Sequence, residues 1–161
     1  MEKLIDELIK ILSAILSSYE KLYELQKQQT AVIVAGDIAK LQEILKEEDS
    51  IITALGELER ARGEIVSELC LKYKLDSGIS LSQIASLGVR KQDLLTLQDK
   101  LKSAVENVSQ QNRLNGKLVK QALDYIDSSM NALKSVMVKD DGVYGRENLP
   151  KNVVSLFDRK V

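Results

Sequence analysis

Apolar side chains recur every three or four residues from the first turn of this chain, and that spacing limits the possible folds more than any other feature. Ile5, Leu8, Leu12, Ile15, Tyr19 and Leu22 form one seam, with Leu4, Ile11 and Leu25 on one flank and Ile9, Leu16 and Tyr23 on the other. A helical period sustained for so many turns specifies one long α-helix from Glu2 to about Val34. Its stripe is wider than a two-helix seam, so it needs at least two neighbours. Nothing downstream offers an alternative to helix. The 161 residues hold one proline, eight glycines and only 4% aromatics, too few breaks for a loop-rich or all-β fold.

Ala35-Gly36-Asp37 punctuates the pattern. Gly36 suits the left-handed position after a helix end, and Asp37 suits the N-cap of the next helix. So short a turn makes the two helices antiparallel neighbours. The second helix is expected from about Ile38 to Tyr73. Its stripe is read as Ile38, Leu41, Leu45, Ile52, Leu55, Val66 and Leu69, with Ile44, Ile51, Leu58 and Ile65 beside it. Gly56 and Gly63 each weaken it by ~1 kcal/mol relative to Ala. Ser80 to Gly88 reads as a loop holding one short capped helix. Its Leu81, Ile84 and Leu87 would plug a bundle end.

A third long helix is expected from about Lys91 to Val138, roughly 70 Å at the usual rise. The fold class is therefore all-α: an elongated antiparallel three-helix bundle or coiled coil, with a short helix in the second connection. Residues 1–139 form the bundle, and 140–161 form a mobile C-terminal tail with a short amphipathic segment.

Composition removes most kinds of chemistry. The absence of His excludes imidazole bases and His-based zinc sites. The single Cys70, among Leu69, Leu71 and Tyr73, reads as a buried structural thiol. Acidic groups such as Glu47-Glu48-Asp49 lie mostly off the apolar seams and read as solvated. No dinucleotide, P-loop or nucleophile-elbow motif occurs. No catalytic residue, metal site or cofactor is expected. A net charge of −1 gives no field for nucleic acid or anionic membrane. No apolar run approaches the ~18 residues of a membrane span, so no membrane insertion and a cytoplasmic location are expected.

Two features stand out. In Gln111-Asn112-Arg113-Leu114-Asn115-Gly116 the apolar stripe lapses, and Asn112 and Asn115 continue the phase of Val105, Val108 and Val119. Both are expected inside as a structural polar layer that sets helix register. Beyond them Leu118, Val119, Leu123, Ile126, Met130, Leu133 and Met137 form an apolar platform for an amphipathic partner helix. The tail repeats the theme with Tyr144, Val153, Val154, Leu156 and Phe157, expected to clamp over that partner or be displaced by it.

These elements, in this order, resemble the flagellar export chaperone family FlgN. The likeness is carried by Tyr19-Glu20-Lys21-Leu22, by Gly36-Asp37 followed by Leu41 and Leu45, and by Leu58-Glu59-Arg60-Ala61-Arg62. It continues through Gln111-Asn112-Arg113-Leu114-Asn115-Gly116, Tyr144-Gly145 and Leu156-Phe157-Asp158. The resemblance implies a cytosolic, non-catalytic chaperone that binds C-terminal helical segments of hook-associated proteins, which join hook to filament. It further implies that premature assembly is blocked and the client is delivered to the cytoplasmic domain of the export gate. Two alternatives share the sequence support: a self-associating coiled-coil adaptor, forming a homodimer, and a chaperone for another flagellar client such as flagellin.

Overall fold

The structure is a computed structural model that describes residues 1–76 and 78–140, the last three as backbone only. Its elements are α1 (Glu2–Ala35), α2 (Ile38–Tyr73), α3 (Leu81–Ser86) and α4 (Lys91–Asp140), with no strand among the described residues. The chain divides into two units, Met1–Lys120 and Gln121–Val161.

Local chemistry explains each boundary in the first unit. Gly36 ends α1 at φ 70°, and the amides of Gly36 and Asp37 return to the Ile33 and Val32 carbonyls at 3.1 and 3.2 Å. This double closure satisfies carbonyls that a helix end otherwise leaves bare. The Asp37 carboxylate then accepts from the Lys40 amide at 3.0 Å and starts α2. Ser80 begins α3 with a reciprocal cap: its hydroxyl accepts from the Gln83 amide, and its own amide donates to the Gln83 side chain. Arg90 pairs with both Asp6 of α1 and Asp93 of α4, tying the second connection to the first helix.

The bundle packs along three heptad seams. In α1 the seam is Ile5, Leu8, Leu12, Ile15, Tyr19 and Leu22, all buried or half-buried. In α4 it runs through Leu94, Leu97, Leu101, Ala104 and Val108. The seam of α2 departs from expectation. Ile44, Ile51, Leu55, Leu58, Ile65 and Leu69 face inward, whereas Ile38, Leu45 and Ile52 are exposed. The residues read as flanking form the contact together with Leu55 and Leu69 of the expected stripe. Both rows keep alternating steps of three and four, the rhythm of a seam, so the choice between them is made by the facing helices and not by spacing.

One core cluster gathers Leu4, Ile5, Leu8, Leu12, Leu69, Ile84, Ala85 and Leu94, so α3 closes this end of the bundle through Ile84 and Ala85. Leu81 and Leu87 are only half-buried. A second cluster, Ile15, Leu22 and Leu55, continues toward the α1–α2 turn. Cys70 is partly exposed rather than fully buried, and its thiol donates to the Asp76 carbonyl at 3.4 Å.

Candidate functional site

Past Leu22 the three seams turn polar together. The α1 heptad positions after Leu22 are Gln26 and Gln29, the α2 position between Ile44 and Ile51 is Glu48, and the α4 positions after Val108 are Gln111 and Asn115. Asn115 is 3% exposed and stands at the centre. Its amide nitrogen donates to the Gln26 carbonyl at 2.8 Å and to the Gln29 side-chain oxygen at 2.6 Å. Its oxygen accepts from the Thr30 hydroxyl at 2.5 Å and from Gln111 at 3.4 Å. Gln111 also donates to Thr30 at 2.7 Å, and Gln29 donates to a Glu48 carboxylate oxygen at 3.3 Å. The layer thus links α1, α2 and α4 through side chains alone, apart from one carbonyl.

Two buried oxygens in it, Gln26 Oε1 and Glu48 Oε1, have no hydrogen-bond partner among the described residues. Burial pushes the Glu48 carboxyl above its usual range, because the charged form loses solvation. Glu48 is the exception to the solvated reading of the acidic residues: it lies on the seam.

The expected inward pair needs correction. Asn112 is exposed. Val105, which sets the expected phase, is 43% exposed, whereas the contact is made by the smaller Ala104 beside it. Counting 104, 108, 111, 115 brings Gln111 inward and leaves Asn112 outside. Gln26, Gln29 and Thr30 complete the layer and do not stand out in the sequence. The signal was present, since they prolong the three-four spacing of Leu22, but polar residues at apolar positions read as a seam's end.

The second unit carries the other candidate. Along α4 from Leu123 to Met137, Leu123, Ile126, Met130, Leu133 and Met137 are 40–65% exposed. Tyr125 and Val136 are exposed as well, at 75% and 63%. No apolar residue between Gln121 and Met137 is buried. The two N-terminal members of the expected platform, half-buried Leu118 and 39% exposed Val119, belong to the first unit. Tyr144, Val153, Val154, Leu156 and Phe157 lie outside the described residues. Among the described residues no helix is long and apolar enough to cross a membrane.

An amphipathic face open along four turns can bind a helix, and a buried amide layer can fix how helices align. Neither arrangement offers a nucleophile beside a base. The family model described as "FlgN protein" matches residues 1–151. A Bacillus subtilis (strain 168) protein described as "Uncharacterized protein YvyG" is 28% identical over 146 residues, covering 88% of this chain and 89% of its own. No solved structure matches.

Proposed function

Because the chain belongs to the FlgN family of flagellar export chaperones, we propose that its clients are hook-associated proteins and that α4 holds them. In this reading the chaperone works in the cytoplasm. It covers a C-terminal helical segment of the client, prevents premature assembly, and passes the client to the cytoplasmic domain of the export gate.

The observation that carries the reading is the exposed row Leu123, Ile126, Met130, Leu133 and Met137. Its spacing is that of a helix-binding seam. Because these five side chains are 40–65% exposed, covering them would contribute about half of a full burial, roughly 0.7–2 kcal/mol each. Association itself costs about 4–15 kcal/mol. The balance is a reversible complex, as a protein that must release its cargo requires. Met130 and Met137 are unbranched and adaptable, which suits more than one related client. Beyond α4, Tyr144, Val153, Val154, Leu156 and Phe157 supply further apolar groups to the same complex.

The test is titration of the full chain with the C-terminal segment of a purified hook-associated protein. Ile126→Asp should weaken binding at least thirtyfold, because an uncompensated carboxylate replaces a buried apolar group. Ile126 is 54% exposed in the free chain, so the fold should be untouched. Full affinity in a folded Ile126→Asp variant refutes the placement of the client. Removal of residues 141–161 should lower affinity further, and unchanged binding would remove those residues from the complex.

A further inference from the structure

The open row of the second unit is complementary to itself. Leu123, Ile126, Met130, Leu133 and Met137 advance by alternating steps of three and four, the rhythm of a two-helix seam. One flank of the row carries Asp127 and Lys134, both exposed and two turns, about 10 Å, apart. The other flank holds Ala122, Ser129 and Val136 and bears no charge. A second copy laid antiparallel with Met130 opposite Leu133 also sets Ile126 opposite Met137, and twofold symmetry repeats both layers. Antiparallel pairing brings the same flank of both helices together. Asp127 of each copy then meets Lys134 of the other, so two opposite-charge pairs form. Ser129 meets Val136 on the far flank, where no charge is covered. Sliding the copies by one heptad opposes Asp127 to Asp127, or Lys134 to Lys134. A parallel pair sets both charges against the uncharged flank, at Ala122 and Ser129. One orientation and one register are favoured, because charges bordering a seam set partner and direction.

We propose that two copies of the client-free chain pair antiparallel through this row, and that a client displaces one copy from the other. The exchange rests on the reading that clients bind this row, whereas the pairing stands on the row's own charge pattern. The five side chains are each 40–65% exposed before pairing. Five from each copy therefore bury well under the ~1,200 Å² of a lasting interface. Such a dimer forms and parts readily. It covers, in the absence of cargo, an apolar row that would otherwise invite unspecific association. The copy is thus a weak occupant that a client with more to bury can replace.

Sedimentation equilibrium of the full chain at low salt, from about 10 µM to about 1 mM, should show a monomer–dimer equilibrium. Asp127→Lys alone and Lys134→Asp alone should each weaken dimerisation about tenfold or more, since two attractions become two repulsions. An equimolar mixture of these two variants should recover the dimer, because both charge pairs across it are again opposite in sign. Both side chains are exposed, so each variant should unfold like the parent. A monomer at every concentration overturns the pairing, as would follow if residues 141–161 or the client alone cover the row. So do single variants that dimerise like the parent, and so does a mixture that stays monomeric. For the exchange, a purified hook-associated protein is added to dimers of donor-labelled and acceptor-labelled chains, and energy transfer should fall as the client complex forms. Transfer that persists in that complex overturns the exchange. A monomeric parent whose client binding is lost in Ile126→Asp refutes the pairing and leaves the client site standing. A dimer that Ile126→Asp breaks without changing client affinity leaves the pairing standing and refutes the client site, and the exchange with it.

Discussion

Asn112 and Asn115 offer a matched pair, because the same substitution, Asn→Asp, meets opposite surroundings on one helix. At position 115 the change keeps size and shape but removes the amide donors aimed at the Gln26 carbonyl and Gln29 Oε1, 2.8 and 2.6 Å away. Two favourable contacts become acceptor against acceptor, at a site 3% exposed. Gln29 cannot rescue it by turning its amide, since its nitrogen already serves Glu48 and a turn would aim oxygen at that carboxylate. Losing two hydrogen bonds costs about 2 kcal/mol, and burying a poorly compensated charge adds at least as much again. The expected loss at pH 7 is about 4 kcal/mol, measured by urea unfolding followed by circular dichroism. The new carboxyl should hold its proton in the folded state well above the ~3.9 of an unfolded chain. Stability should therefore recover as pH falls through the folded-state value toward 3.9, because the native state then binds more protons. Asn112→Asp, on the exposed surface, should stay within about 0.5 kcal/mol of the parent. Equal effects at the two positions, or a loss under 1 kcal/mol at 115 with no added pH dependence, would refute the central place given to Asn115.

Glu48→Gln should stabilise the protein at pH 7 by about 1 kcal/mol, since it removes a buried charge while an amide oxygen can still accept from Gln29. Burial raises the Glu48 carboxyl above 4.5, so the parent loses stability as pH rises from 4.5 through the folded-state value. That slope should flatten in Glu48→Gln, and an unaltered urea-midpoint profile against pH would count against it. Gly63→Ala should raise stability by about 0.5–1 kcal/mol, because a β-carbon there meets nothing within 4 Å and the helix gains rigidity. A lower thermal midpoint would contradict that reading.

How far the sequence discloses this molecule depends on what kind of signal each feature leaves. The helix ends were legible because their causes are local: Gly36 and Asp37, or Ser80 with Gln83, act within one turn. The seam of α2 was harder. Two apolar rows, one led by Leu45 and Ile52 and the other by Ile44 and Ile51, are equally greasy and both keep three-four spacing through Glu48, so only the helices packed against them separate the two. Asn115 could be read because it interrupts an apolar row. Its partners Gln26, Gln29 and Thr30 could not, since a polar residue on a stripe looks like the stripe's end until the opposing helix is seen. The open face of α4 poses a different difficulty. Leu123 to Met137 have the same periodicity whether their neighbour lies in this chain or in another. Only their exposure shows that no described part of the chain covers them.

The caps and core of the first unit also make its two extremities unequal. Near α3 the interior is dry and closed by Ile84, Ala85 and a guanidinium clasp from Arg90 to Asp6. Toward Gly36 it is polar, its cohesion resting on amides and a hydroxyl that water could solvate almost as well once the layer opens. Thermal opening should thus begin at the hairpin bend and travel inward. Strain applied there reaches the dry end last, which makes the α3 end the anchor and the bend the natural place for the rods to part.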